Sequence, residues 1–487
     1  MKKRSFLFRI CSGLLLAVSP LVLGSCHAPL YRYPEFNFAG RVTPPSGLLY
    51  RVMIGQTTDG SISSLQILDG LNDLRSNIQN TVHAFFISGY SLGFPNDIIN
   101  YPAETRGYVY STTTGSVTVV DYEKESVSNT YTLAPNAGVA VPTEALHLYS
   151  GSPSTNQLEI VDRSQNAINP STYSLNIPNL FQVVASSGDS VILAFARNSN
   201  AVYRVVKLNS NQPAPPGAID CQPYNLPVYC AVPVNGGTFD RPTGALFSTD
   251  GSTVYIYNSG PEAGGRTASV TFLQLSPLNV NSIPTTTPDA SAFLANVPVP
   301  GGVTDALSDG ATLYVSGQQL QSDGLFAGRL STINLTSHAV TATYSISDGN
   351  HSKMLFADDN TLWIGSQQCA NGEREHQAVL GVTTQAANYN CLTRFDLGAL
   401  SATIIPNAVQ GTSNTVPYPN QDANNYYYGD LTGLCWVQNL HKVYTAYGGQ
   451  VHAFNTGDGS EINNFYITIT GTALDAAYMD ALSDDVD

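Results

Sequence analysis

Self-similarity constrains this chain more than any other feature. Leu246-Phe-Ser-Thr-Asp-Gly-Ser-Thr-Val-Tyr-Ile-Tyr257, Leu307-Ser-Asp-Gly-Ala-Thr-Leu-Tyr-Val-Ser316 and Leu355-Phe-Ala-Asp-Asp-Asn-Thr-Leu-Trp-Ile-Gly365 are copies of one phrase. Each reads as a short strand, a tight Asp/Gly or Asp/Asn turn, and a second strand of β-branched and aromatic residues. A third strand of the type Ser331-Thr-Ile-Asn-Leu335 follows, and usually a fourth such as Ala339–Ile346. Four short antiparallel strands per unit, repeated, predict the blades of a β-propeller.

Weaker copies fill the rest of the chain. Their second strands begin near Leu48, Gly107, Ala145, Ser190 and Lys442, which with the three clear copies makes eight. Third strands match as well, at Leu65–Asp69, Val117–Asp121, Leu158–Asp162 and Val451–Asn455. The expected fold is therefore all-β, a propeller of eight four-stranded blades. Seven is the alternative count, because an N-terminal copy and a closing half-blade look alike in sequence. After the last full unit, Ala473-Leu-Asp-Ala-Ala-Tyr-Met-Asp-Ala-Leu-Ser483 resembles a first strand with no turn or second strand behind it, whereas the first unit starts at its second strand. Pairing the two ends closes the ring and removes exposed sheet edges. A closed ring is one domain, predicted over residues 46–487.

The N-terminus reads as an address. Lys2, Lys3, Arg4 and Arg9 precede an apolar run from Ile10 to Leu23, which is short for a membrane span and suited to a signal peptide. Leu23-Gly24-Ser25-Cys26 resembles the lipobox of bacterial lipoproteins. That resemblance covers residues 1–26 and implies a signal peptide over 1–25, lipid on Cys26, and a tether over 26–45. Two or more acyl chains on one residue meet the requirement for stable anchoring. His27, in the place where an aspartate would favour inner-membrane retention, implies the outer membrane, with the protein facing either the periplasm or the exterior.

Removing residues 1–25 takes four basic residues from 21 and leaves 17 against 36 acidic ones, a net charge of −19. That balance argues against nucleic acid or an anionic lipid surface as a partner. With Cys11 and Cys26 set aside, Cys221 and Cys230 form one candidate disulfide and Cys369 and Cys391 another, suited to an oxidising envelope compartment. Loops of this size are worth about 3 kcal/mol each when closed, in the chain-entropy model. Cys435 reads as a small buried apolar residue.

Thr253-Val-Tyr-Ile-Tyr-Asn258 and Thr312-Leu-Tyr-Val-Ser316 are similar to the repeats of YVTN or lactonase-like propellers. The resemblance reaches about half the chain and implies a fold class rather than an activity, because propellers host hydrolases, isomerases, quinoproteins and binding scaffolds alike.

In a propeller, second-to-third-strand loops and the connections to the next blade open on one face. Asn258–Thr267, Gly317–Gly328 and Ser366–Asn390 read as loops of the first kind in successive blades, and Leu397–Asp430 and Asn209–Arg241 as connections. That face is the candidate binding surface, since functional loops gather on rigid scaffolds. Its most distinctive stretch offers Tyr418, Asp422, Tyr426, Tyr427, Tyr428 and Asp430, a mixture of aromatic rings and carboxylates suited to glycan or peptide contacts.

Local catalytic motifs are missing: no G-x-S-x-G elbow, H-E-x-x-H helix, phosphate loop or C-x-x-C-H haem attachment occurs. His83, His147, His351, His376, His441 and His452 are scattered and read as structural or surface residues rather than metal ligands. Asp59-Gly60, Asp250-Gly251, Asp309-Gly310 and Asp358-Asp359-Asn360 read as turns, not cation loops, and Glu373-Arg374-Glu375 as a solvated charge run. No cofactor is expected. The expected role is a membrane-anchored, non-enzymatic binding or scaffold module for an envelope protein or polysaccharide. The alternatives are a lactonase-like or glycan-cleaving enzyme, with channel residues drawn from different blades, and a structural surface-layer component.

Overall fold

The middle strands of the repeats are buried along nearly their whole length, and that dictates how they assemble. Ile192–Ala196 is buried throughout, and Thr253–Asn258 and Thr361–Gln367 are buried at all but one residue each. A strand buried on both faces must lie between two other sheets. Outer strands behave differently: Ser171–Asn176 and Ala339–Ile346 are largely exposed. The computed structural model describes residues 42–484 except 59, 61, 74–84, 92, 135–136, 165, 167, 169, 223–225, 235–238, 287–291, 323, 325, 370–390, 406–428, 463–466 and 468.

Eight antiparallel sheets form an eight-bladed β-propeller. Blade 1 pairs Thr472–Tyr478, innermost, with Arg51–Thr58, Ile62–Asp69 and Phe85–Phe86. Blades 2 to 8 run in chain order, and their innermost strands are Asp97–Tyr101, Val139–Pro142, Leu180–Ala185, Pro242–Phe247, Gly302–Ser308, Asn350–Ala357 and Leu431–Val437. Eight blades, not seven, is the count. The second strands begin at Arg51, Arg106, His147, Ile192, Thr253, Thr312, Thr361 and Lys442, each within three residues of its expected start.

The core is a ring of layers between neighbouring blades. Tyr149, Leu158 and Leu175 of blade 3 pack on Val183, Ile192 and Val205 of blade 4. Met53 and Ile67 of blade 1 meet Ile98, Val109 and Val120 of blade 2, and Trp363 and Leu392 of blade 7 meet Val443 and Phe454 of blade 8. The turn carboxylates serve the backbone, as Asp309 Oδ1 accepts the amides of Ala311 (2.8 Å) and Thr312 (2.7 Å), and Asp250 accepts the Ser252 amide.

Closure joins both ends of the propeller. Val52 pairs with Tyr478 and Ile54 with Ala476. A buried ionic clamp locks the seam: Arg51 Nη2 lies 2.7 Å from Asp480 Oδ1, and its Nη1 donates to Glu125 Oε1 (3.0 Å) and to the Tyr122 carbonyl (2.6 Å). Asp480 Oδ2 also accepts the Arg51 amide (2.7 Å), and Glu125 accepts the amide and hydroxyl of Ser46.

Three segments read as loops contain strands. Gly317–Gly328 is mostly hairpin, because blade 6's second and third strands run on to Leu320 and from Phe326, pairing Gln318 with Gly328. Leu397–Asp430 includes Ser401–Ile405, the fourth strand of blade 7. Asn209–Arg241 folds back as Asp220–Gln222 on Val228–Pro233, so blade 4 has a fifth strand outside its fourth. In each case backbone pairing with a neighbouring strand outweighs polar or proline-rich composition.

Both expected disulfides form. Cys221–Cys230 staples the fifth strand of blade 4 to the fourth, and Cys369–Cys391 closes the segment between the second and third strands of blade 7. Cys435 is a buried thiol in blade 8.

Candidate functional site

Six of the eight innermost strands are interrupted near their start by a β-bulge. It falls opposite Gly55/Gln56 in blade 1 and at Leu180/Gln182, Pro242/Gly244, Val303/Asp305, His351/Lys353 and Leu431/Gly433 in blades 4 to 8. A bulge inserts one unpaired residue and re-aims its neighbours. In three blades the residue after it is charged: Asp475, Asp305 and Lys353. Asp305 and Lys353 line a cavity of about 400 Å³ in the central channel, together with Asp97–Tyr101 of blade 2, Ala306, Ser352, Met354 and Asp484.

Lys353 reaches from blade 7 to the closure seam. Its Nζ donates to Asp97 Oδ1 of blade 2 (3.1 Å) and to Asp475 Oδ2 of blade 1 (3.4 Å). The side chain of Asp475 is wholly buried, that of Lys353 is 20% exposed and that of Asp97 is 44% exposed. Asp475 also accepts the amides of Ile98 (2.6 Å) and Ala476 (2.9 Å). Burial raises the Asp475 pKa, and Asp97 pushes the same way, while Lys353 and the two amides pull it down.

Asp305 is less well served. It accepts the Ala306 amide (2.8 Å) and, among the described residues, no other hydrogen bond. Although part of it faces the lumen, protein encloses it, and desolvation lifts its pKa to about 7 against the pull of that amide and of Lys353. Beside it, His351 is buried, and burial lowers its pKa to about 4. Its Nε2 lies 2.7 Å from the Ser347 carbonyl, which only accepts, so Nε2 carries the proton and Nδ1 accepts from Thr304 Oγ1 (3.0 Å). His351 therefore holds blade 7 against the bulged residue of blade 6, and it is a structural histidine.

The other expected site residues separate. Of the loop candidates only Asp430 falls within the described residues; Tyr418, Asp422, Tyr426, Tyr427 and Tyr428 lie outside them, as do Cys26, His83, His376 and Glu373-Arg374-Glu375. Asp430 Oδ1 accepts the Gln368 amide at 2.6 Å and so ties blade 7's second-to-third-strand segment to the entry of blade 8. Among the described residues the histidines do not converge: His147 bonds Asp189 between blades 3 and 4, His441 bonds Asp359, and His452 bonds Glu461. Among the described residues no group of three or more His, Cys, Asp or Glu is placed to hold a metal ion.

The channel residues escaped the sequence reading because each is one charged residue within an apolar strand. The available signal was positional. Thr304-Asp305-Ala306-Leu307, Ser352-Lys353-Met354-Leu355 and Leu474-Asp475-Ala476-Ala477 carry a charge at one repeat position.

A closed, eight-bladed propeller with a titratable cluster in its lumen is the class that this fold and site define. Among solved structures the chain is similar to dihydro-heme d1 dehydrogenase NirN in complex with DHE, at 12% identity and a TM-score of 0.53, covering 92% of this chain and 79% of that one. It is also similar to apo AztD from Citrobacter koseri (9% identity, TM-score 0.44, 88% and 97% covered) and to a 6-phosphogluconolactonase-like protein from Bacteroides fragilis (12%, 0.42, 73% and 94%). At such identities the likeness shows the fold alone. No protein-family model matches the chain, and no curated protein sequence matches it.

Proposed function

We propose that the protein is a non-enzymatic binding propeller, held on the outer membrane by lipid at Cys26, that engages an envelope protein or polysaccharide. Its contact surface is the face carrying the second-to-third-strand segments of blades 5 to 7. The observation that carries this reading is that the segments of blades 5 and 6 are built rather than loose, and that a disulfide joins the two ends of the one in blade 7. Blade 5 forms a 3-10 turn over Gly260–Ala263, braced by Asp240 Oδ2 accepting the Arg266 and Thr267 amides, both at 2.7 Å. Blade 6 extends its hairpin to an exposed Leu320, whose amide donates to Glu262 Oε1 (3.4 Å). Blade 7 closes its segment with Cys369–Cys391. Ordered loops on a rigid scaffold favour recognition because little entropy is lost on binding.

The test is in situ cross-linking of the lipidated protein in its envelope, compared with a variant whose blade 6 hairpin is shortened between Gln318 and Gly328. Loss of the cross-linked species supports the reading, and an unchanged pattern overturns it. Replacing Cys26 by Ser is expected to release the protein from the membrane fraction.

A catalytic reading is favoured by one observation: Asp305, with its pKa near 7, stands in the lumen with Lys353, the setting of a general acid or base. Hydrolysis of lactone or glycoside substrates that disappears in Asp305→Asn would support it.

A further inference from the structure

We propose that the channel cavity is a binding site for a small organic cation, one bearing a primary ammonium or guanidinium group, held by Asp305 and Asp97. This site is separate from the face proposed above. Lys353 cannot satisfy the whole cluster, because its ammonium is engaged by Asp97 and Asp475, blades away from Asp305 along the ring. Asp305 is left with one amide, walled by protein and facing a cavity of about 400 Å³, room for a molecule of modest size. A desolvated carboxyl that has one amide donor, with Lys353 acting on it only at longer range, costs folding free energy. Such a group is explained when a ligand supplies the missing donors. A charged N–H donor fits best, since among the described residues lining the cavity the carboxylates of Asp97, Asp305 and Asp484 face one ammonium, that of Lys353. The apolar stretch of the lining, Ile98, Ile99, Ala306 and Met354, suits the aliphatic part of such a molecule. A metal ion is a poorer fit, as the described carboxylates do not converge into a coordinating group.

The experiment is calorimetric titration of the full lipidated protein, in detergent, with agmatine, which carries both groups. 1,4-Butanediol serves as the neutral control and magnesium chloride as a competitor. Saturable agmatine binding is expected, with protons released, because the cation favours the ionised form of Asp305. That release is read as a difference in heat between buffers of unlike ionisation enthalpy. Asp305→Asn is expected to weaken binding by roughly tenfold or more, the loss of a charge-assisted hydrogen bond. Asp97→Asn, at a half-exposed position that folding tolerates, is expected to weaken it less. Absence of saturable binding, equal binding of butanediol, unchanged affinity in both variants, or displacement by magnesium would each overturn the proposal.

Discussion

Two ionic clusters sit close together in this propeller, one buried at the seam and one partly open to the lumen, and they differ in completeness. At the seam, Arg51 spreads its guanidinium over Asp480, Glu125 and the Tyr122 carbonyl, and both carboxylates take further donors from Arg51 and Ser46. In the lumen, one ammonium serves Asp97 and Asp475 and leaves Asp305 with a single amide. Complete networks rigidify a fold, whereas an incomplete one persists for another reason, often a ligand. The contrast separates a structural lock from a site by counting donors, without appeal to sequence similarity.

Breaking the lock carries the largest expected effect. Arg51→Met takes the guanidinium from two buried carboxylates, Asp480 and Glu125, at a cost of about 3–5 kcal/mol. Chemical denaturation measures that loss, and a change below about 1 kcal/mol would remove the seam's claim to be the lock. Lys353→Met is the matched change in the lumen and is expected to cost less, about 1.5–3 kcal/mol at pH 8, the value of hydrogen bonds to a charged group. The cost shrinks toward pH 5, where Asp475, whose pKa is raised by burial, holds its proton and needs no cation. A pH-independent loss would show that Lys353 acts by packing alone.

Gly433 sharpens the comparison because it lies where seam and lumen meet. A Cβ on it would sit 2.5 Å from the Ala476 nitrogen and 2.6 Å from the Asp475 Cα, so blade 8 can approach the closing strand only with glycine here. Gly433→Ala is expected to destabilise by about 1–3 kcal/mol through overpacking. The midpoint of thermal unfolding reads the effect. An unchanged midpoint would mean that the closing strand shifts freely, and so does not set the Asp475 position.

The sequence revealed the closing of the ring better than the site. Ala473–Ser483 is visible as a first strand without a partner, and Leu48–Tyr50 leads into a second strand without a first, so ring closure follows from the repeat alone. The apolar second strands gave their own positions because burial on both faces demands it. What composition concealed was pairing: Gly317-Gln-Gln-Leu-Gln-Ser-Asp-Gly324 is polar and glycine-rich, yet Gly317–Leu320 is laddered to the neighbouring strand. Bulges are equally silent, since the extra residue at Thr304, Ser352 or Leu474 looks like any other. Without them the shared repeat position of Asp305, Lys353 and Asp475 has no visible meaning, and only a closed ring gathers blades 2, 6 and 7 around one cavity.

Asp305→Asn carries the smallest expected effect, and its sign is opposite to the rest. The native pKa of this carboxyl is about 7, above its ordinary value of 3.8. Between those values the folded chain holds a proton that the unfolded chain has released, so stability falls as pH rises through that window and the deficit is complete above it. Asparagine keeps the size and removes the charge. The variant is therefore expected to be more stable than the wild type by on the order of 1 kcal/mol at pH 8, and indistinguishable from it near pH 3.5. Unfolding curves at the two pH values read the difference. A loss of stability at pH 8 would mean that Asp305 is a supporting ion of the lumen and would erase its contrast with the seam. A gain accompanied by loss of agmatine binding would mark it as a group that the fold tolerates for its ligand.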